Sequence, residues 1–248
     1  MGDTLVWITG VSAGIGRALA AAVPWPEAKV IGISRRPVTS VELADHLEAD
    51  LATQAGWSAV NESITTTLES TSEIVRVAFV HAAATVEPIG FAGEVDNDDY
   101  QAAVLLNTVA PQVLGRGFLD ATEHVTCPRV LLMLATGRGS GVYPGWSAYQ
   151  AGKAALDAWV LSEAAARDDD RLTLLSVAPG TVDTDMQSMV RHADERVFPR
   201  VEKFTELNDS GHLADAREVA DRIWSLVKEP HRTDPLVDLR ELPPLSDP

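Results

Sequence analysis

Two residues able to do acid–base chemistry, Tyr149 and Lys153, stand four positions apart in an alanine-rich run. That spacing places both side chains on one face of a helix. A phenol is a poor acid–base catalyst near neutral pH unless a nearby cation stabilises its phenolate form, which an ammonium one turn away could do. By itself the pair is more typical of an exposed tyrosine and a solvated lysine, so its interpretation depends on the rest of the chain.

The elements around this pair follow a strand–loop–helix order. The apolar run 130–135 predicts a buried strand. Glycines and one proline in the residues that follow indicate a loop, because no helix persists through them. The alanine-rich run then predicts a helix over 147–166. Tyr149 and Lys153 therefore fall in the first part of this helix.

A second group of functional residues is a glycine turn between the first predicted strand and the first predicted helix. It contains Gly10, Gly14 and Gly16. Glycine lets backbone amides approach a pyrophosphate, and the N-terminus of a helix favours the negative charge of that group. A tight turn that needs positive φ would account for one or two glycines. Three glycines in this context favour dinucleotide binding.

Strands and helices alternate along the chain. We predict strands at 4–9, 29–34, 46–50, 74–81, 130–135, 172–177 and 236–238, and helices at 17–23, 54–70, 98–106, 111–123, 147–166 and 215–227. This order predicts an α/β fold of Rossmann type, a doubly wound parallel sheet of about seven strands with helices on both faces. One domain over 1–248 is the simplest interpretation. Residues 186–211 fit the alternation least, and we expect an insertion on the substrate side there.

Composition excludes several classes of function. The formal net charge of −16 argues against nucleic acid or an anionic membrane as a partner. No segment is apolar over a length that could cross a bilayer, and the first residues lack the features of a secretory signal. The single cysteine, Cys127, excludes an intrachain disulfide, and the six histidines show no metal-ligand spacing. We expect a cytoplasmic protein without a metal, whose partner is a small molecule.

The Gly-x-x-x-Gly-x-Gly turn at 10–16 and the Tyr149-x-x-x-Lys153 pair together resemble the short-chain dehydrogenase/reductase family over nearly the whole chain. The resemblance implies hydride transfer between a nicotinamide and a carbonyl carbon, with Tyr149 as the proton donor. Lys153 would lower the pKa of that tyrosine and hold the ribose. Thr136 would orient the carbonyl, and Asn107 would carry a water that links Lys153 to solvent.

The same resemblance implies a set of cofactor-binding residues that mostly follow the predicted strands. They are Gly10, Ser12, Ala13, Gly14, Ile15 and Gly16 in the turn, Ser34, Arg35 and Arg36 after the second strand, Asp50 and Leu51 beside the adenine, His81, Ala82 and Ala83 after the fourth strand, Tyr149 and Lys153 themselves, and Pro179, Gly180, Val182 and Thr184 after the sixth strand.

Two positions depart from the family pattern. Thr136 stands where the family carries a catalytic serine, and its hydroxyl can make the same hydrogen bond although its methyl group takes space. The usual Asn-Ala-Gly after the fourth strand is replaced by Ala82, Ala83 and Ala84, which supply no amide side chain. His81 could contact the cofactor ribose instead, and a structural histidine at a strand end is an equally good interpretation.

The end of the second strand bears on the choice of cofactor. A fold of this type that selects NAD usually ends this strand with an acid, whereas a basic residue accommodates the 2′-phosphate of NADP. Here the strand ends Ser34-Arg35-Arg36, and no acid follows until Glu42. A guanidinium can pair bidentately with a phosphate, and Ser34 can donate as well. The sequence therefore favours NADP(H).

Within the family, the C-terminal third most resembles the sepiapterin reductase and benzil reductase branch, through 182–187, 211–215 and 236–238. The branch implies reduction of one carbonyl of a bulky or aromatic α-diketone, with a pterin side chain as the narrower alternative. An Asp in the last motif anchors the pterin in sepiapterin reductases. Asp238 matches it, but its flanking residues differ, and an ordinary polar residue near the chain end fits equally well.

The remaining expectations concern the pocket walls, the assembly and a competing function. From their positions in the sequence alone, we expect the following residues to form walls of the substrate pocket: Val142, Tyr143, Trp146, Met186 and Met189. Ordinary packing in the hydrophobic core would explain each of them equally well. We expect a homodimer, or a homotetramer, paired through the helix before the fifth strand and the helix that carries the tyrosine. The competing function is a non-catalytic NADP-binding redox sensor or structural partner.

Overall fold

Seven parallel strands form the sheet at the centre of the protein, which is described here by a computed structural model over residues 2–137, 141–228 and 234–243. The strands are β1 (Asp3–Thr9), β2 (Lys29–Ser34), β3 (Asp45–Glu48), β4 (Ile74–His81), β5 (Arg129–Leu134), β6 (Leu172–Ala178) and β7 (Leu236–Asp238). Their spatial order is β3-β2-β1-β4-β5-β6-β7. The order reverses between β1 and β4, which is where open α/β sheets bind ligands.

The described residues form eight α-helices, five of which pack on the two faces of this sheet. They are α1 (Gly14–Ala21), α2 (Gln54–Ser70), α3 (Asn97–Val104), α4 (Ala110–Ala121), α5 (Ser147–Ala165), α6 (Asp185–Arg191), α7 (Val201–Asp209) and α8 (Ala216–Lys228). Helices α1 and α8 pack on one face, and α2, α4 and α5 pack on the other. The predicted Rossmann-type fold is therefore confirmed.

The central strands are apolar throughout because both of their faces are buried. In β1, Leu5 and Trp7 belong to the core layer under α2, α4 and α5, whereas Val6 and Ile8 belong to the layer under α1 and α8. The register sets Trp7 beside Phe79 of β4. The sequence of β1 thus satisfies two cores at once, which is why it shows no alternation of apolar and polar residues.

Helices α3 and α4 are joined by a π-helical segment, Leu105–Val109. We predicted two separate helices with a break in this region, and the chain instead stays helical with one widened turn. Asn107 lies in the middle of the segment and is 2% exposed. A Cβ on Gly152 of α5 would stand 2.9 Å from the Asn107 Cβ, so the two helices can approach only because residue 152 is glycine. Widened turns of this kind often occur at functional sites.

The predicted insertion at 186–211 consists mainly of the short helices α6 and α7, which pack against each other. They complete a third hydrophobic cluster with the segment between β5 and α5. Phe198 and Phe204 meet Tyr143 and Trp146 there, with ring centroids 4.7–6.3 Å apart. Residues 186–211 are therefore held by aromatic packing to the loop that leads into α5.

Most predicted boundaries agree with the structure to within one or two residues, and the largest difference lies at α1. This helix begins at Gly14, whereas we predicted a start at residue 17. The glycines of its first turn have poor helix propensity, but the turn after β1 fixes their conformation. None of the helices in the described parts of the chain is apolar over the length needed to cross a bilayer.

Candidate active site

A cleft of ≈ 420 Å³ opens at the carboxyl ends of the strands, where the order of the sheet reverses. Nearly the whole predicted cofactor set lines it, although its members come from distant parts of the chain. The lining residues from that set are Gly10, Ser12, Ala13, Gly14, Ile15, Gly16, Ser34, Arg35, Arg36, Asp50, Leu51, Ala82, Ala83, Tyr149, Lys153, Pro179, Gly180, Val182 and Thr184.

The glycine turn is shaped by contacts that a side chain would break. Gly10 has φ +75°, and a Cβ there would lie 2.9 Å from the backbone nitrogen of Ala83. A Cβ on Gly16 would lie 2.4 Å from the carbonyl oxygen of Gly10. At Gly14, which has φ +51°, the nearest atom belongs to the Thr184 side chain. The turn therefore leaves a bare backbone surface at the start of α1, which fits a dinucleotide pyrophosphate.

The end of β4 is tied to β1 by the hydroxyl of Thr9. This oxygen accepts hydrogen bonds from the backbone nitrogens of Ala82 and Ala83, both at 3.0 Å. It also lies 3.2 Å from Nδ1 of His81. Thr9 thus orders the three-alanine segment that replaces the family's Asn-Ala-Gly, without any help from a side chain of Ala82.

The side chain of His81 does not reach the cleft, so it does not line the space in which a cofactor would bind. The side chain is 1% exposed, under the strand end. Burial, followed by the positive charge of Lys153, lowers the pKa of His81 to about 3, against a smaller opposing effect from a hydrogen bond with the Ala83 backbone. His81 is consequently neutral near pH 7, and the structural interpretation of this residue fits better.

Thr136 and Tyr149 both line the cleft. Burial raises the pKa of the Tyr149 phenol, and the hydrogen bond with Thr136 opposes that rise. Trp146 packs against the phenol ring with centroids 5.3 Å apart. The phenol is therefore kept protonated beside a hydroxyl, which is the state required of a proton donor.

Lys153 stands behind the phenol and is 4% exposed. Its Nζ donates a hydrogen bond to the carbonyl oxygen of Leu134 at 2.7 Å and lies 5.8 Å from the centroid of the Tyr149 ring. Burial lowers the pKa of Lys153 to about 8, against the opposing charge of Asp157. Burial raises the pKa of Tyr149 and Thr136 opposes that rise, so the expected lowering of this pKa by Lys153 stays a prediction.

Asn107 does not line the cleft. Its Nδ2 donates to the carbonyl oxygen of Thr85 at 2.8 Å, and its Oδ1 accepts from the Thr85 nitrogen at 3.0 Å. Thr85 itself lines the cleft. The side chain of Asn107 therefore fixes the loop after β4, and its expected role of carrying a water stays a prediction.

The end of β2 brings two guanidinium groups to the cleft. Arg35 and Arg36 are both exposed and line its wall. Ser34 is buried, and its hydroxyl donates to the Arg36 carbonyl oxygen at 2.7 Å while lying 2.9 Å from Nε2 of His46. The single hydroxyl proton of Ser34 is thus already engaged in the hydrogen bond to the Arg36 backbone. The guanidinium groups of Arg35 and Arg36 are therefore the side-chain donors that the end of β2 offers to a ligand in the cleft.

At the other end of the cleft, the predicted pocket walls divide. Tyr143, Trp146, Met186 and Met189 line the cleft, and their role in substrate binding stays a prediction. Val142 does not, since its side chain points into solvent and is 77% exposed. The expectation for Val142 was wrong because position alone cannot distinguish two neighbours whose side chains point in opposite directions.

Asp238 is also absent from the cleft surface. It is 6% exposed, and its carboxylate accepts from Nε of Arg240 at 3.0 Å and from Nη2 at 2.6 Å. The guanidinium of Arg240 lines the cleft in its place. The expected role of Asp238 as a substrate anchor is therefore corrected: this carboxylate positions an arginine.

Several lining residues were not anticipated from the sequence. They are mostly members of the insertion, the loop after β4 and the C-terminal turn, and include Val86, Glu87, Gln187, Lys203, Phe204 and Arg240. Arg240 could have been suspected, because it stands two residues after Asp238 and an oppositely charged pair so close along the chain often bonds. The sequence offers no comparable signal for Lys203.

Comparison with known proteins agrees with this geometry. Residues 4–195 match the family described as short chain dehydrogenase. The chain is 27% identical over 238 residues to a benzil reductase ((S)-benzoin forming) of Bacillus subtilis (strain 168), covering 94% of this chain and 97% of the relative. It is 28% identical over 251 residues to a sepiapterin reductase of Mus musculus, covering 92% and 93%.

Solved structures share the fold as well. The crystal structure of the KRED1-Pglu enzyme has a TM-score of 0.78 to this protein at 24% identity and covers 94% of this chain and 99% of its own. Three observations point to the same family: a glycine turn whose backbone surface fits a dinucleotide, a cleft lined by Thr136 and Tyr149, and a family match over residues 4–195. The chain therefore belongs to the short-chain dehydrogenase family, whose members are oxidoreductases that use a nicotinamide cofactor.

Proposed function

We propose that this protein is an NADP(H)-dependent carbonyl reductase that reduces one carbonyl of a bulky or aromatic α-diketone. The observation that carries the proposal is that Thr136 and Tyr149 line the same cleft, with the Lys153 ammonium buried behind the phenol. The benzil reductase from Bacillus subtilis, a relative over nearly the full chain, supports the diketone. The aromatic walls formed by Tyr143 and Trp146 suit a bulky substrate.

The residues of the cleft divide the work of binding a cofactor. The bare backbone of the glycine turn at 10–16 would hold the pyrophosphate, and Arg35 and Arg36 would pair with the 2′-phosphate. Pro179 and Gly180 would face the nicotinamide end, close to Tyr149. Bound in this way, the cofactor supplies the hydride that the reduction needs.

The protein's own part in the reaction is to bind the carbonyl and to deliver a proton. The Thr136 hydroxyl and the Tyr149 phenol would both donate to the carbonyl oxygen, which orients and polarises it. Tyr149 then gives up its proton as negative charge develops on that oxygen, and the Lys153 ammonium stabilises the phenolate left behind. Any water that connects Lys153 to solvent near Asn107 would contact its backbone, since Thr85 occupies the side chain.

We further propose that residues 186–211 form the substrate-side part of a single-domain protein. The insertion contributes Met186, Lys203 and Phe204 to the cleft at the end that lies away from Arg35 and Arg36. Its aromatic packing against Tyr143 closes that end from one side. A wall built from an insertion can vary without disturbing the sheet, which suits a role in substrate choice.

Replacement of Tyr149 by phenylalanine should abolish nearly all NADPH oxidation with a diketone, because only the proton donor is lost. Binding of NADPH should stay close to that of the wild type, as measured by fluorescence titration. Thr136→Ser is the matched control and should keep activity, whereas Thr136→Ala should lower kcat by about tenfold to a thousandfold, the effect of one oriented donor. Unchanged turnover in Tyr149→Phe would refute the mechanism.

The competing function is a non-catalytic NADP-binding redox sensor. NADPH binding without turnover of any carbonyl by the wild type would favour it.

Replacement of Arg35 by alanine should weaken NADPH far more than NADH. The expected loss for NADPH is about 1.5–3 kcal/mol, the contribution of a charge-assisted hydrogen bond, with little change for NADH. Calorimetric titration of both cofactors measures the difference. Arg217→Ala is the control, since Arg217 pairs with Asp221 on the surface of α8 away from the cleft. An equal loss for both cofactors would transfer the assignment to Arg36.

Because Lys153 is buried, the free energy of unfolding should rise with pH between the folded pKa of this residue, about 8, and its ordinary value of 10.5. Its pKa is about 8 in the folded protein and 10.5 ordinarily, so the unfolded chain binds more protons between these values and stability increases with pH there. Lys153→Met removes this titration, and between pH 8 and 10 the wild type should gain on the order of 2 kcal/mol relative to it. The Tyr149 phenol, whose pKa is raised by burial, lowers the free energy of unfolding with increasing pH only above its ordinary pKa of 10. Parallel urea-denaturation midpoints for the two proteins across this range would contradict the prediction.

We also propose a homodimer, or a homotetramer that contains it, paired through α4 and α5. Ala151, Ala154 and Ala158 are exposed along one face of α5, whereas Gly152 packs against Asn107 within the same chain. Light scattering should give at least twice the 26.6 kDa of one chain. Ala154→Arg should shift the mass towards the monomer, and Ala21→Arg, at an exposed position of α1 on the opposite face of the sheet, should not. A wild-type monomer at micromolar concentration would refute the pairing.

A further inference from the structure

Arg240 bridges two loops at the substrate end of the cleft. It lies in the short 3-10 turn that follows β7, Leu239–Glu241. A Cβ on Gly137 would stand 2.3 Å from its Nη2, and a Cβ on Gly180 would stand 3.4 Å from its Cγ. Gly137 directly follows Thr136, whose hydroxyl would hold the reacting carbonyl, and both residues line the cleft together with Arg240.

Asp238 fixes the direction in which this guanidinium points. Its carboxylate accepts from Nε at 3.0 Å and from Nη2 at 2.6 Å, and its oxygen Oδ1 also accepts from the Arg240 backbone nitrogen at 3.0 Å. The Asp238 side chain is 5% exposed whereas that of Arg240 is 51% exposed. Because the fork engages two of the five N–H donors of an arginine, the others remain directed away from Asp238. The pair is thus a rigid donor that presents N–H groups at the cleft.

The charge around Arg240 favours a neutral acceptor. Asp238 balances the guanidinium within the pair, and the hydrogen bonds with Asp238 raise the pKa of Arg240, so it stays protonated. Lys203 also lines this end, and its Nζ donates to the Tyr143 hydroxyl at 2.5 Å. Glu87 and Asp185 also line the cleft. With both signs of charge present, a ligand needs an oxygen that accepts a hydrogen bond more than it needs a net charge.

We propose that Arg240 is a specificity-determining residue that donates a hydrogen bond to the second oxygen of a vicinal dicarbonyl. The inference rests on the proposed function: the first oxygen lies between Thr136 and Tyr149, and the neighbouring carbonyl oxygen receives an N–H of the guanidinium. The two carbonyl groups of such a substrate are adjacent. The two donors are neighbours as well, because the Arg240 guanidinium lies against Gly137, the residue that follows Thr136. A monoketone would leave the donor of Arg240 without a partner on the substrate.

The test compares two substrates with the same aryl group, 1-phenylpropane-1,2-dione and propiophenone. In Arg240→Met, kcat/KM for the dione should fall by about tenfold to a hundredfold, the effect of one hydrogen bond to a charged group. The value for propiophenone should change by less than about threefold. The control Arg217→Met removes the arginine of another Arg–Asp pair, remote from the cleft, and should alter neither. An equal loss for both ketones, or no loss for the dione, would overturn the proposal.

Removal of Arg240 alone leaves a buried carboxylate without this partner, so a second variant guards against unfolding. Asp238→Asn combined with Arg240→Met removes both charges together and should show the same selective loss, with the melting temperature recorded for each variant. Phenylglyoxylate supplies a charged second oxygen on the same aryl group. A preference for it in the wild type that disappears in Arg240→Met would overturn the choice of a neutral acceptor.

A binding measurement separates this proposal from the proposed function. If the wild type turned over neither ketone, the reductase assignment would fail by itself. Quenching of tryptophan fluorescence by the dione in NADP⁺-loaded protein would still report on Arg240, because Trp146 lines the same end of the cleft. Affinity for the dione that falls at least tenfold in Arg240→Met supports the role of the arginine, and equal affinities overturn it.

Discussion

The buried ammonium of Lys153 is the constraint on which the geometry of the active site depends. A charge that is 4% exposed must be hydrogen-bonded, and the Leu134 carbonyl at the end of β5 provides the bond. Helix α5 is thereby fixed to the carboxyl end of β5, and Tyr149, one turn earlier, is placed in the cleft. The same charge acts on His81 at the end of β4 and, together with burial, keeps that ring neutral. One buried cation therefore couples α5, β5 and β4 at the point where the sheet order reverses.

The substrate end is built on a different principle, in which aromatic rings form both the wall and the core. Tyr143 contacts Trp146 and Phe204, and Lys203 bonds the Tyr143 hydroxyl from the insertion. The rings that would face a substrate are thus the rings that attach α6 and α7 to the rest of the protein. A large change in the volume of this wall would also remove core contacts, so substrate range and local stability are linked.

Glycine is required in the turn after β1, where backbone segments have to come close. Gly10 and Gly16 leave room for the backbone of the turn itself and of the segment after β4. At the other end of the cleft, the side chain of Arg240 lies beside Gly137 and Gly180, and the latter has φ +84°. In the first case the vacated surface suits a phosphate, and in the second the space is filled by an arginine from the far end of the chain. The same residue type therefore serves binding in one place and the positioning of a side chain in the other.

The sequence by itself determined the order of strands and helices, the glycine turn and the common face of Tyr149 and Lys153. These features are local: apolar runs predict strands, glycines predict turns, and a spacing of four predicts one helical face. Only the tertiary structure decided that Tyr143 faces the cleft while Val142 faces solvent, and that Arg240 rather than Asp238 reaches the site. It also decided that α3 and α4 form one continuous helical run, because Asn107 has to meet Thr85 and Gly152 at once. Such choices depend on contacts between residues far apart in the chain, which no local pattern encodes.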